Sequence, residues 1–108
     1  MNDWKEPIHP GEILADELDF LGLSIEQLAK YIKVSENNIE QVLRGQVNLT
    51  ADIALRLGYF FNTGAEMWMN LQKAYELDVA RQQLGDKLEL IVPWRSLSST
   101  SEELTISA

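Results

Sequence analysis

The sequence predicts an all-α fold: five helices forming one domain over residues 1–85, then a short C-terminal arm and tail over 86–108. Three observations carry this expectation. Apolar residues recur at three- and four-residue spacing through most of the first 84 positions. The runs open on residues that start helices well, and they close on glycine or asparagine. At 108 residues the chain is sized for a single domain.

The first helix opens at Pro10, whose missing N–H would be unpaired in a first turn anyway. Glu12 complements the positive helix end. Ile13, Leu14, Leu18 and Leu21 follow at helical spacing, and Gly22 ends the run. Ser24 with Gln27 forms a capping box for the second helix, which buries Ile25, Leu28, Ala29 and Ile32 and ends near Lys33. Ser35 caps the third helix, with Ile39, Val42 and Leu43 facing inward and Gly45 as its stop. Thr50 caps the fourth, with Asp52 in its first turn and an apolar face of Ile53, Ala54, Leu57, Phe60 and Phe61. Asn62-Thr63-Gly64 breaks it, and Thr63 with Glu66 reads as a second capping box. The fifth helix carries Trp68, Leu71 and Tyr75 as a stripe for the core or a homodimer interface, with Met67, Ala74 and Leu77 beside it. After Gly85, Leu88-Glu89-Leu90-Ile91-Val92 is partly alternating and suits a strand or an extended arm. From Ser96 the composition reads as a disordered tail. Trp4 and Trp94 fall outside the helical pattern.

Composition narrows the function. With no cysteine there is no disulfide framework, thiolate nucleophile or cysteine-held zinc. One histidine, His9, excludes two-histidine metal motifs and argues against a hydrolytic triad; it reads as a helix-start or surface residue. Asp16 and Glu17 are adjacent on a helix and point about 100° apart rather than converging. No apolar run approaches the roughly 18 residues that cross a bilayer. A cytoplasmic binding protein is therefore expected, not an enzyme, with no metal, cofactor or membrane.

The formal net charge is −8. Residues 1–23 hold one lysine against six acids, a segment suited to a basic protein partner. Residues 24–61 are balanced, with Lys30, Lys33, Arg44 and Arg56 against Glu26, Glu36, Glu40 and Asp52. This central segment is the part least repelled by DNA.

That segment also carries a helix-turn-helix pattern over residues 24–44. Ala29 is small where the first helix must approach the second, Val34 fills the angle, and Ile39 and Val42 bury the inner face. The outer face of the second helix shows Asn37, Asn38 and Gln41, whose amides pair bidentately with adenine edges, each worth ~1–3 kcal/mol of discrimination. Asn37 alternatively serves only the helix start near Ser35. Glu36 has the chemistry to accept from cytosine N4, and Glu40 to pair with Arg44 one turn on. Gln27, Arg44 and the helix start at Thr50 flank the motif where phosphates would lie.

Across residues 8–80 the chain resembles the HigA-type antitoxins, of the xenobiotic-response-element class of helix-turn-helix proteins that also includes phage repressors. The resemblance rests on Ile8-His9-Pro10-Gly11-Glu12-Ile13-Leu14, Gly22-Leu23-Ser24 with Gln27-Leu28-Ala29, Val34-Ser35, Leu43-Arg44-Gly45, Ala54-Leu55-Arg56-Leu57 and Trp68-Met69-Asn70-Leu71-Gln72. It implies a five-helix, phage-repressor-like domain that dimerises on a palindromic double-stranded operator in its own promoter. It further implies a toxin partner, a basic RelE-like ribonuclease that cuts messenger RNA. By position, Ser35, Glu36, Asn37, Asn38 and Gln41 fall where family members contact bases and phosphates. Two other readings stay open on sequence: a stand-alone transcriptional regulator without a toxin, and a protein-interaction module without DNA binding.

Overall fold

Each of the first four helices begins where the side chain of the preceding residue accepts from a first-turn amide. The structure, a computed structural model, describes residues 6–97. The order is α1 (Pro10–Leu21), α2 (Ile25–Ile32), α3 (Glu36–Leu43), α4 (Ala51–Phe61) and α5 (Ala65–Leu84). A 3-10 turn (Gly85–Leu90) and a four-residue helix, α6 (Trp94–Leu97), follow, and there is no strand among the described residues. The Ser24–Gln27 capping box is formed in both directions. Ser35 Oγ accepts from the Asn38 amide at 3.1 Å, and Thr50 Oγ1 from the Ile53 amide at 3.3 Å.

The core is built from one side of each helix: Leu14 and Leu18, Leu28 and Ile32, Ile39 and Val42, Ile53, Ala54 and Leu57, and Trp68. Leu49, in the α3–α4 loop, is also buried. Trp68 is 1% exposed, and its indole Nε1 donates to Thr63 Oγ1 at 2.9 Å. Leu71 packs on the core and the Tyr75 ring meets His9 edge-on, and both remain half-buried. Trp68 is thus unavailable to a subunit interface.

Two glycines permit close helix approach. A Cβ on Gly58 would lie 2.5 Å from the Gly64 carbonyl carbon, where α4 meets the start of α5. A Cβ on Gly11 would lie 2.0 Å from the Val42 carbonyl oxygen, where α1 crosses the end of α3.

Four expectations need correction. Thr63 does not cap α5: its hydroxyl is taken by Trp68, and Gly64 occupies the cap position without a side-chain bond. Leu21 and Phe60 are exposed: Leu21 ends α1, and Phe60 stacks on the ring of Tyr31, itself exposed, rather than entering the core. The 88–92 segment is not a strand. Among the described residues no strand offers it a ladder, and it makes local bonds, Ile91 N–H to the Leu88 carbonyl at 3.1 Å among them. The tail expected from Ser96 begins within α6, and residues 98–108, like Trp4, lie outside the described residues.

Candidate nucleic-acid interface

The corner between α2 and α3 is set by short-range geometry. Lys33 closes α2 in the left-handed conformation, φ 64°, an uncommon one for a residue with a Cβ. The Val34 amide donates back to the Ala29 carbonyl at 3.1 Å, and Val34 packs against the core. Arg56 of α4 then locks the corner. Its guanidinium donates to the Ile32 carbonyl at 2.8 Å and the Lys33 carbonyl at 3.2 Å, and it pairs with Asp52. A cation at the last carbonyls of α2 both satisfies them and opposes the helix dipole.

On this frame α3 turns one face out. Glu36, Asn37, Asn38 and Arg44 are exposed and Gln41 is half-exposed. The side-chain amides of Asn37, Asn38 and Gln41 make no hydrogen bond among the described residues. The helix start is served by Ser35, so Asn37 is not consumed there. Ser35 and Thr50 each use an oxygen lone pair on a backbone amide and retain a hydroxyl donor. Gln27 accepts from the Ser24 amide through Oε1 at 2.9 Å, which leaves its NH2 as a donor. A cleft of about 380 Å³ runs beside α3, bordered by Asn38, Gln41, Asn48, Thr50 and Arg56.

The charges on this side are paired in part. Arg44 meets Glu40 at 3.1 Å, one turn apart as the sequence suggests. Lys30 and Lys33 join no ion pair among the described residues.

Three contacts that sequence reasoning missed hold α3 and its following loop. His9 is 5% exposed. Its Nδ1 accepts from the Gly11 amide at 2.9 Å, which leaves Nε2 to donate to the Val47 carbonyl at 2.8 Å. His9 therefore starts α1 and anchors the α3–α4 loop together. Gln72, 2% exposed, accepts from the Leu49 amide through Oε1 at 2.8 Å and donates through Nε2 to Glu76 at 2.8 Å. Gly11 is the third, lying under the Val42 backbone. The only sequence signals were a polar residue in an apolar helix stripe and a histidine before a helix-starting proline.

Among the described residues, no group of three or more His, Asp or Glu side chains is arranged to hold a metal ion, and no helix is long and apolar enough to cross a membrane.

A locked two-helix corner with an unengaged amide face outward and the other face in the core defines a helix-turn-helix domain of the DNA-binding class. The chain belongs to the HigA antitoxin family. It is 48% identical to an addiction module antidote protein of the HigA family from Coxiella burnetii, with a TM-score of 0.79 over 82% of this chain and 98% of that one. It is 44% identical to PA4674 of Pseudomonas aeruginosa, solved in complex with its operator DNA, with a TM-score of 0.79 over 82% and 95%. Virulence-associated protein I of Dichelobacter nodosus is 45% identical over 87 residues, 80% of each chain. No protein-family model matches the chain.

Proposed function

We propose that this chain is the antitoxin of a type II toxin–antitoxin module and represses its own operon by binding a palindromic operator as a homodimer. The observation that carries the reading is the outward, unpartnered face of Asn37, Asn38 and Gln41 on a corner fixed from behind by Arg56, His9 and Gln72. The Pseudomonas relatives solved on operator or promoter DNA support it. The domain of residues 1–85 supplies the DNA-binding unit, and 86–108 an appended arm. Asn37, Asn38 and Gln41 read base edges, and Glu36 faces the same groove at the start of α3. Gln27, Ser35, Arg44 and Thr50 address phosphates on either side. One recognition helix spans only a few base pairs, so two copies on paired half-sites are needed.

The toxin partner is a basic, RelE-like ribonuclease, and the acid-rich segment of residues 1–23 is suited to it by charge. The chain works in the cytoplasm and performs no catalysis of its own. A stand-alone regulator is the second reading. It is favoured by 36% identity over 87 residues to YbaQ of Escherichia coli, named as a transcriptional regulator.

Gel-shift titration on the DNA upstream of its own gene tests the operator reading. Asn37→Ala is expected to lower affinity for that DNA by about 1–3 kcal/mol while leaving scrambled DNA unaffected. Equal losses on both would refute the base-reading role. Co-expression with the adjacent gene product separates the two readings: rescue of growth and a stable complex select the antitoxin.

A further inference from the structure

The loop between α3 and α4 is fixed at one exposed residue, Asn48. Both peptide groups that adjoin its Cα are bonded to buried side chains. On one side the Val47 carbonyl accepts from His9 Nε2 at 2.8 Å, and on the other the Leu49 amide donates to Gln72 Oε1 at 2.8 Å. The approach to the loop is held as well, the Gln46 amide donating to the Gln41 carbonyl at 2.9 Å. Two planar peptide groups held in place fix the φ and ψ of the residue between them, so the Asn48 side chain leaves the backbone in a set direction. Nothing local needs an asparagine there. Among the described residues other than glycine only Lys33 and Asn62 have positive φ, so the turn does not call for one, and α4 is capped by Thr50. The Asn48 side-chain amide makes no hydrogen bond among the described residues. It borders the cleft beside α3, together with Asn38, Gln41 and Thr50.

We propose that Asn48 contacts DNA as an uncharged donor to a backbone phosphate, with His9 and Gln72 as the positioning residues that aim it. Asn48 lies past the end of α3, between the base-reading amides and Thr50, where the wall of an entered groove passes, and groove walls are phosphate. An amide NH2 is a donor suited to a phosphate oxygen. Because its direction is already set, it gives up little freedom on binding. The charge of the cleft points the same way. Its bordering charged residues, Asp52 and Arg56, are paired with each other. A phosphate arriving there is met by amide and hydroxyl donors, which lets a chain of net charge −8 hold a polyanion at this edge without a cation. That gives the contact its own signature. Cationic side chains displace counterions and steepen the salt dependence of binding, and a neutral donor leaves the slope as it was.

The proposal rests on the operator reading for the presence of a duplex. Gel-shift titrations across a salt series test it, on the DNA upstream of the gene and on a scrambled duplex. Asn48→Ala is expected to weaken binding about tenfold on both, with the slope of log affinity against log salt unchanged. Its urea midpoint is expected to match wild type, because removing an exposed, unbonded amide leaves no buried group without a partner. Asn48→Lys is expected to bind more tightly than Asn48→Ala at low salt and to steepen the slope by about 0.9. A double-mutant cycle reads the aiming. In a Gln72→Leu chain, assayed at a temperature where it is fully folded, Asn48→Ala is expected to cost less than about threefold, because the loop no longer presents the amide. Upstream DNA bound by the wild type and equally well by Asn48→Ala would overturn this contact alone. A loss confined to the upstream DNA would make Asn48 a base reader and overturn the phosphate assignment. A loss that comes with a lower urea midpoint would give the residue a structural role and overturn the contact. Full additivity in the cycle would overturn the positioning by Gln72. A wild type that shifts neither duplex would sink the operator reading and this contact together.

Discussion

Gln72→Leu tests whether one buried amide holds the loop that follows the recognition helix. Gln72 Oε1 takes the Leu49 N–H at 2.8 Å, and both residues are 2% exposed. Leucine is close in size but cannot accept a hydrogen bond. The Leu49 amide is then buried without a partner, which costs about 1–3 kcal/mol. Glu76 also loses its donor, but it is exposed and water replaces the bond. The extra apolar character of leucine offsets part of the loss, so a net destabilisation of about 1–2 kcal/mol is expected. For a domain of this size each kcal/mol lowers Tm by about 4–8 °C. Urea titration reads the effect as a lower midpoint at unchanged slope. Hydrogen exchange gives the local signature, faster exchange at the Leu49 amide than at amides within α2. Gln72→Glu keeps an acceptor but buries a carboxylate one turn from that of Glu76, and is expected to be worse than leucine. A Gln72→Leu chain with the wild-type midpoint and an equally protected Leu49 amide would refute the anchoring role.

The remaining predictions concern the back and front of α3. Gly11→Ala drives a methyl into the Val42 carbonyl. It is expected to cost at least about 1–3 kcal/mol in a urea melt and to weaken operator binding, because the displaced atoms belong to the end of α3. Arg44→Ala is expected to weaken binding on all DNA alike and to flatten the salt dependence by about one unit of slope, measured by gel shift from low to physiological salt. Since Glu40 competes for that guanidinium, Glu40→Gln is expected to do the reverse, raising affinity on specific and scrambled DNA together.

The helical plan was legible because its signals are local. Ser24, Ser35 and Thr50 each accept from a backbone amide three residues on, and that bond depends only on neighbours in the chain. The same holds for the inward positions Leu28, Ile39, Val42 and Leu57, which helical periodicity fixes. Local reasoning failed where two signals competed for one atom. Thr63 carries a capping pattern, but the indole of Trp68 reaches its hydroxyl from within the core. It failed too at residues 88–92, where alternation suggested a strand and the described residues hold no partner strand.

Periodicity and caps thus determined, from sequence alone, which residues form the two-helix corner and which amides it turns outward, since both follow from contacts within one or two turns. Only the tertiary structure decided what holds that corner still. His9 to Val47, Arg56 to Ile32 and Gln72 to Leu49 join atoms 38, 24 and 23 residues apart, and pairings at that range are set by how the helices stack. The stacking also decided which apolar side chains remain uncovered. Trp68 and Tyr59 are both large aromatics on helices, and only the position of the neighbouring helices buries one and exposes the other.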